Sequence, residues 1–155
     1  MIRSFFAILF TLIAINAQAA EKPEGFKTID GLFAALSNLD HQAMRDGVSD
    51  DFILLEHGEV WDIEDLIAVM KPKPSKLERI NYFSIINFEE RENLLTINYW
   101  TKSIFKSEDG NKEAVWLESA IVKKIDGKWL VAQLHSTRLP AEKFPKDVQF
   151  EQQVL

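Results

Sequence analysis

The chain is 155 residues long, 46% hydrophobic and free of cysteine, and its 24 acidic against 18 basic side chains give a net charge of -6. Without cysteine there is no disulfide, no thiol nucleophile and no thiolate metal site. An acidic chain whose basic residues cluster no further than Lys123-Lys124 also lacks the aligned cations that neutralise nucleic-acid phosphates.

Residues 1–19 read as a signal peptide. Arg3 supplies the charge, Phe5 to Ile15 is apolar apart from Thr11, and Ala17-Gln18-Ala19 is the small-x-small pattern that signal peptidase reads. That apolar stretch falls far short of the roughly 20 residues of a membrane-spanning helix. Cleavage after Ala19 would remove Arg3 and no acid, leaving 136 residues with a net charge of -7, enough for one domain. The expected location is secreted, in the periplasm, with no membrane span after cleavage.

Residues 20–27 form a polar lead-in. From Thr28 the apolar residues Ile29, Leu32, Phe33, Leu36 and Leu39 recur at three and four residue steps, which predicts a helix with one buried stripe. Asp40 predicts the cap of a second short helix that Asp46-Gly47 ends. Phe52 to Leu55 predicts a strand closed by His57-Gly58. Asp62 as N-cap with Asp65 three residues on predicts a third helix bearing Ile63, Leu66, Ile67 and Met70 on one face, stopped by Lys71-Pro72-Lys73-Pro74.

Beyond residue 76 the period changes. Residues 77–89, 93–106, 113–125 and 128–139 are rich in β-branched and aromatic side chains and predict a meander of four long strands. Asp126-Gly127 is a strong two-residue hairpin signal. Ser107 to Asn111 reads as a turn rather than a calcium loop, since it lacks alternating acidic ligands. The predicted class is therefore α+β, with N-terminal helices packed on a curved antiparallel sheet. The segment after Pro140 is either a flexible tail or a strap.

If Asp126-Gly127 is the loop, regular pairing places Glu118 opposite His135 and Ser119 opposite Leu134. One face then carries Leu117, Ser119, Ile121, Leu130, Ala132, Leu134, Ser136 and Arg138 and is assigned to the core. Trp116, Glu118, Trp129 and His135 fall on the other.

Helices, a short strand, a capped helix and a four-stranded meander ending in Asp126-Gly127-Lys128-Trp129, His135, Thr137 and Pro140 resemble the nuclear transport factor 2-like superfamily, in particular its SnoaL-like group of small bacterial proteins. The association domain of calcium/calmodulin-dependent kinase shares the Asp-Gly-Lys-Trp and downstream His spacing. The resemblance covers residues 28–140 and leaves 141–155 as a tail. It implies a cone-shaped cystatin-like fold with a pocket at the wide end, lined by Tyr99, Ser119 and Ser136 or Arg138, with Trp61 near the mouth, and a convex face that often dimerises. Such a fold hosts enzymes, adaptors and oligomerisation domains alike, so it does not fix function. Ketosteroid-isomerase-like members place an acid on the third long strand where this chain is expected to place Ser119, and a hydroxyl cannot replace a carboxylic acid there.

Three functions follow as expectations. The first is a non-catalytic binding or accessory module for a small apolar or carboxylate-bearing molecule, with Trp61, Tyr99, Ser119, Ser136 and Arg138 as the ligand pocket. The second is a lyase or isomerase acting on a small cyclic or polyketide-like compound, with Glu118 and His135, or His57 near the mouth, as acid and base. The third is a structural homodimer through Trp100, Trp116 and Trp129 on one exposed face. No cofactor is expected. His41, His57 and His135 have no metal-ligand spacing, so no metal is expected either.

Overall fold

A computed structural model describes residues 22–70 and 77–154. The expected signal peptide and the Lys71 to Pro74 helix stop lie outside the described residues.

Helix α1 spans Phe26–Asn38 and buries Phe26, Ile29, Leu32, Phe33 and Leu36, the predicted stripe extended by one turn at its start but without Leu39, which is the left-handed C-cap and is exposed. Gly25 precedes it, because a Cβ there would stand 3.0 Å from the Leu95 side chain and 3.3 Å from the Trp129 ring. Helix α2, His41–Asp46, is capped by Asp40, whose carboxylate accepts from the Ala43 amide at 3.0 Å. Strand β1, Val48–Glu56, turns back into β2, Glu59–Trp61, through His57 and Gly58, both at positive φ. Helix α3, Ile63–Val69, starts with a reciprocal capping box: Asp62 accepts from the Asp65 amide at 2.9 Å and Asp65 accepts from the Asp62 amide at 3.1 Å.

The four long strands are β3 (Glu78–Arg91), β4 (Leu94–Ser107), β5 (Gly110–Ile125) and β6 (Lys128–Arg138). They pair in chain order as a meander, and Ile125 pairs with Lys128 across the Asp126-Gly127 turn, where both residues have positive φ as a type I′ turn requires. One seven-stranded, unclosed sheet results, ordered β2-β1-β6-β5-β4-β3 and ending in β7, Glu151–Gln152. Strand β1 joins it parallel to β6, a non-local pairing without a local sequence signal.

The helices cover one face of this sheet, and the core lies between. Phe26 and Phe33 of α1 meet Phe83 of β3 edge-to-face at 5.5 and 5.1 Å, and Tyr99 of β4 stands 5.9 Å from Phe26, a geometry that aromatic quadrupoles favour. The segment after Pro140 is a strap rather than a loose tail. It returns as β7, Glu151–Gln152, which pairs with Tyr82 and Phe83 at the β3 edge. Among the described residues no helix is long and apolar enough to cross a membrane.

One irregularity changes the faces. The β5–β6 register runs evenly from the turn to Val122 opposite Val131, then shifts, so that Ile121 faces Gln133 and Ala132 is the extra residue. Regular pairing predicts Glu118 opposite His135, whereas Glu118 faces Ser136 and Ser119 faces His135. The inward face of β5 is therefore Glu118, Ala120 and Val122, all buried, while Leu117 is 40% exposed on the outside. Assigning Leu117, Ser119, Ile121 and Leu130 to the core is corrected: the bulge lets β6 keep Trp129 and Val131 inward before it and Leu134 and Ser136 inward after it.

Candidate functional site

Four adjacent strands each send a polar side chain to the same end of the inner face. Arg79 comes from β3, Thr101 from β4, Glu118 from β5 and Ser136 from β6, with Thr101 and Glu118 one strand apart and Glu118 directly opposite Ser136. Alternation of side chains along each strand puts them there: Arg79 shares its face with Asn81 and Phe83, and Thr101 with Tyr99 and Ser103.

Glu118 is 5% exposed. Its two carboxyl oxygens take separate hydroxyl donors, Thr101 Oγ1 at 2.5 Å on one and Ser136 Oγ at 3.0 Å on the other. Burial nonetheless dominates and pushes its pKa up from 4.5 to about 7, against the opposing pull of those two hydroxyls and of Arg79. The group is thus poised to gain or lose a proton near neutrality. Tyr99 lies close beside it, fully buried, and burial together with the Glu118 charge raises its phenol well above the ordinary value. Among the described residues the Tyr99 hydroxyl has no partner in hydrogen-bond geometry.

Arg79 is walled by aromatic rings, its guanidinium 5.5 Å from the centroids of Phe33 and Phe105 and 6.0 Å from that of Trp116. Its Nε donates to Asn81 Oδ1 at 2.8 Å and to Ser103 Oγ at 3.2 Å. Among the described residues no carboxylate lies within 4 Å of the guanidinium and neither terminal nitrogen has a hydrogen-bond partner. Burial lowers its pKa from 12.5 to about 10, so it keeps its charge at neutral pH, and the more distant Glu118 and Glu56 help it to do so.

Both groups line one cavity of about 200 Å³. Its walls are otherwise apolar, from Phe33 and Leu36 of α1, Leu66, Val69 and Met70 at α3, and Leu54, Trp61, Trp116 and Leu134 of the sheet, with Glu56 and Ser136 adding polar atoms. A guanidinium and a protonatable carboxyl at one end of an apolar chamber can hold an anionic or hydrogen-bonding head group while the chamber takes its apolar body. Among the described residues no three His, Asp or Glu side chains are placed to hold a metal ion.

No protein-family model and no curated protein matches the chain in sequence. Solved structures do match in shape. A protein from Cytophaga hutchinsonii described as NTF2-like aligns with a TM-score of 0.61 at 16% identity over 74% of this chain and 94% of that one. A ketosteroid isomerase-like protein from Erwinia carotovora atroseptica aligns at 0.57 and 15% identity over 74% and 93%. The chain has the nuclear transport factor 2-like fold. The association domain of C. elegans CaMKII shares it, with a TM-score of 0.59 at 16% identity over 72% of this chain and 91% of that one.

Within this nuclear transport factor 2-like cone the sequence-derived site residues separate. Trp61 and Ser136 line the cavity, and the Trp61 indole donates to Glu59 at 2.7 Å. Tyr99 is buried beneath Glu118. Ser119 points to the outer face opposite His135, which is exposed, so the expected Glu118–His135 pair does not form. Arg138 stays outside the cavity, exposed and stacked 5.8 Å from the Trp116 ring. The three tryptophans of the expected dimer face do not share a face. Trp100 is outward, Trp116 lines the cavity and Trp129 is 8% exposed in the core. Trp116, Glu118 and Trp129 do share a face, but it is the inner one, so on the third long strand Glu118 rather than Ser119 faces inward. Sequence reasoning missed Arg79 and Thr101. The available signal was the alternation Arg79-x-Asn81-x-Phe83 beside Tyr99-x-Thr101-x-Ser103, polar groups at every second position of strands that otherwise read as core.

Proposed function

We propose that the chain is a binding module for a small molecule that carries a carboxylate on an apolar body. The observation that carries this reading is Arg79, a charged guanidinium enclosed by three aromatic rings, anchored through Nε and with its terminal nitrogens left for an incoming acid. The ligand carboxylate takes the Arg79 fork, its body lies against Leu54, Leu66, Trp116 and Leu134, and a protonated Glu118 donates a hydrogen bond to it. A cavity of about 200 Å³ suits a compact ligand, since drug-sized sites run to roughly 300–1,000 Å³. Two carboxylates in one cavity repel, so binding favours the neutral form of Glu118 and weakens as pH rises through about 7.

Benzoate is a suitable probe. Calorimetry should give saturable binding that is tighter below the Glu118 midpoint than above it, and Arg79→Met should weaken it about tenfold or more, the scale of a hydrogen-bonded charge pair. Equal binding by the wild type and Arg79→Met would remove the basis of the proposal.

A second reading is acid/base catalysis on a small cyclic compound, favoured by one observation: a carboxyl with a pKa of about 7 in a largely apolar cavity can take and return a proton at neutral pH. Glu118 alone would carry it, since neither the exposed His135 nor His57, exposed in the β1–β2 turn, lines the cavity. Assembly as a homodimer is supported by Trp100, Leu117 and Ile53 on the outer sheet face, the last two 40% and 36% exposed. Light scattering on Leu117→Glu tests this: a wild-type monomer at tens of micromolar sinks the dimer.

A further inference from the structure

Arg79 does not reach the cavity unaided. Its Nε is held by Asn81 Oδ1, and Asn81 is 1% exposed, so the direction of its amide is set by buried neighbours. The Asn81 Nδ2 group donates to Ser37 Oγ at 2.8 Å, to Gln153 Oε1 at 2.9 Å and, at 3.3 Å, to the Phe33 carbonyl. Gln153 lies in the C-terminal strap and is 8% exposed. Its own amide is oriented in turn, because Nε2 donates to the Asp30 carbonyl at 2.5 Å, which leaves Oε1 for Asn81. The Gln153 backbone amide also donates to the Asn81 carbonyl at 2.9 Å.

The three acceptors of Asn81 are not equivalent. Ser37 gives its hydroxyl hydrogen to the Phe33 carbonyl at 2.9 Å and accepts from Asn81, but a hydroxyl can turn to donate instead, and the Phe33 carbonyl is itself the most distant of the three acceptors, at 3.3 Å. The Gln153 carbonyl oxygen, like that of Phe33, only accepts, and at 2.9 Å it is the nearer of the two and makes the stronger demand for the NH2 end. That demand turns Asn81 Oδ1 toward Arg79 and Ser103, both donors to it. With the amide reversed, an NH2 group would confront the Arg79 Nε–H, donor against donor, and the guanidinium would leave its position over Phe33 and Trp116.

Gln153 is not needed merely to hold the strap. Strand β7 pairs with β3, Glu151 forms an ion pair with Lys22 at 3.1 Å, and Phe150 lies under the Lys102 ammonium at 4.7 Å. The geometry points to Gln153 as a positioning residue that, through Asn81, fixes the Arg79 guanidinium with its free fork in the cavity, so that the C-terminal strap sets the affinity of the pocket for carboxylates. The effect on affinity rests on the reading of Arg79 as the carboxylate partner. The effect on Arg79 itself does not.

Gln153→Met keeps the length and packing of the side chain and removes both amide contacts. Two readouts separate the claims. In nitrogen-15 spectra the Arg79 Nε–H should be protected from exchange in the wild type and should shift and exchange freely in Gln153→Met, and benzoate binding should weaken about tenfold. Glu151→Ala loosens the strap without touching the relay and should leave both readouts at wild-type values. An unchanged Nε–H resonance in Gln153→Met overturns the positioning role, as does an equal change in Glu151→Ala, which would reduce Gln153 to general anchoring. If the wild type binds no benzoate while Gln153→Met still frees the Nε–H, the relay stands and the carboxylate reading falls.

Discussion

Replacing Glu118 by Gln isolates the cost of a buried acid at constant shape. The amide is isosteric, and the Thr101 and Ser136 hydroxyls can rotate so that one donates to the carbonyl and the other accepts from the NH2 group. The folded-state pKa is raised, from 4.5 to about 7. The folded protein therefore binds the proton more tightly than the unfolded chain, and the stabilisation this gives is complete below the unfolded value and lost as pH rises through the folded one. At about 1.4 kcal/mol per unit, the shift amounts to about 3 kcal/mol. Urea unfolding from about pH 4 to about pH 8 should show the wild type losing about 3 kcal/mol more than Glu118→Gln, chiefly between the two pKa values. Other titrating groups are common to both proteins and cancel in the difference. Parallel stability profiles would refute the reasoning. They would mean that the hydroxyl donors and Arg79 offset the desolvation of Glu118, leaving no neutral acid in the cavity near pH 7.

Two further outcomes follow from the fold. Asp62→Ala removes the side-chain half of the capping box at α3, leaving the residue-62 amide on the Asp65 carboxylate, and should lower stability by about 1 kcal/mol in the same urea assay. Deleting Ala132 removes the extra residue of β6, forcing either Trp129 and Val131 or Leu134 and Ser136 out of the core face. Thermal unfolding should then show a loss of at least about 3 kcal/mol, the scale of an emptied core position, and a variant as stable as the wild type would show that the bulge does not set the register.

How legible this was in the sequence differs by feature. The helix starts at Asp40 and Asp62 and the turn at Asp126-Gly127 were readable because each is a local arrangement, a side chain or a dipeptide serving its own backbone. The strap was undecided because what holds it, Asn81 and the Asp30 carbonyl for Gln153, lies far away in the chain. Strand β1 beside β6 was invisible for the same reason. The faces of β5 failed on one residue. Around Ala132 the sequence is apolar on both parities, Val131 and Ala132 being buried in succession, so no polar residue marked the place where alternation slips. Leu134 and Ser136 beyond the slip do face inward, but regular pairing ties them to Ser119 and Leu117, so the whole of β5, Val122 as well as Glu118, was placed on the wrong face. Arg79 escaped notice because a lone arginine at the start of a strand looks like a solvated end. Its meaning comes from Phe33, Phe105 and Trp116, which only the folded sheet and α1 bring around it.

The central claim is that a protonatable Glu118 and a fixed Arg79 share one carboxylate-binding cavity, and a carbon-13 titration of the Glu118 carboxyl with and without benzoate tests it most directly. The expected result is a midpoint near 7 in the free protein that moves upward when benzoate occupies the cavity. A midpoint near the ordinary 4.5, or one that benzoate leaves in place, would contradict it.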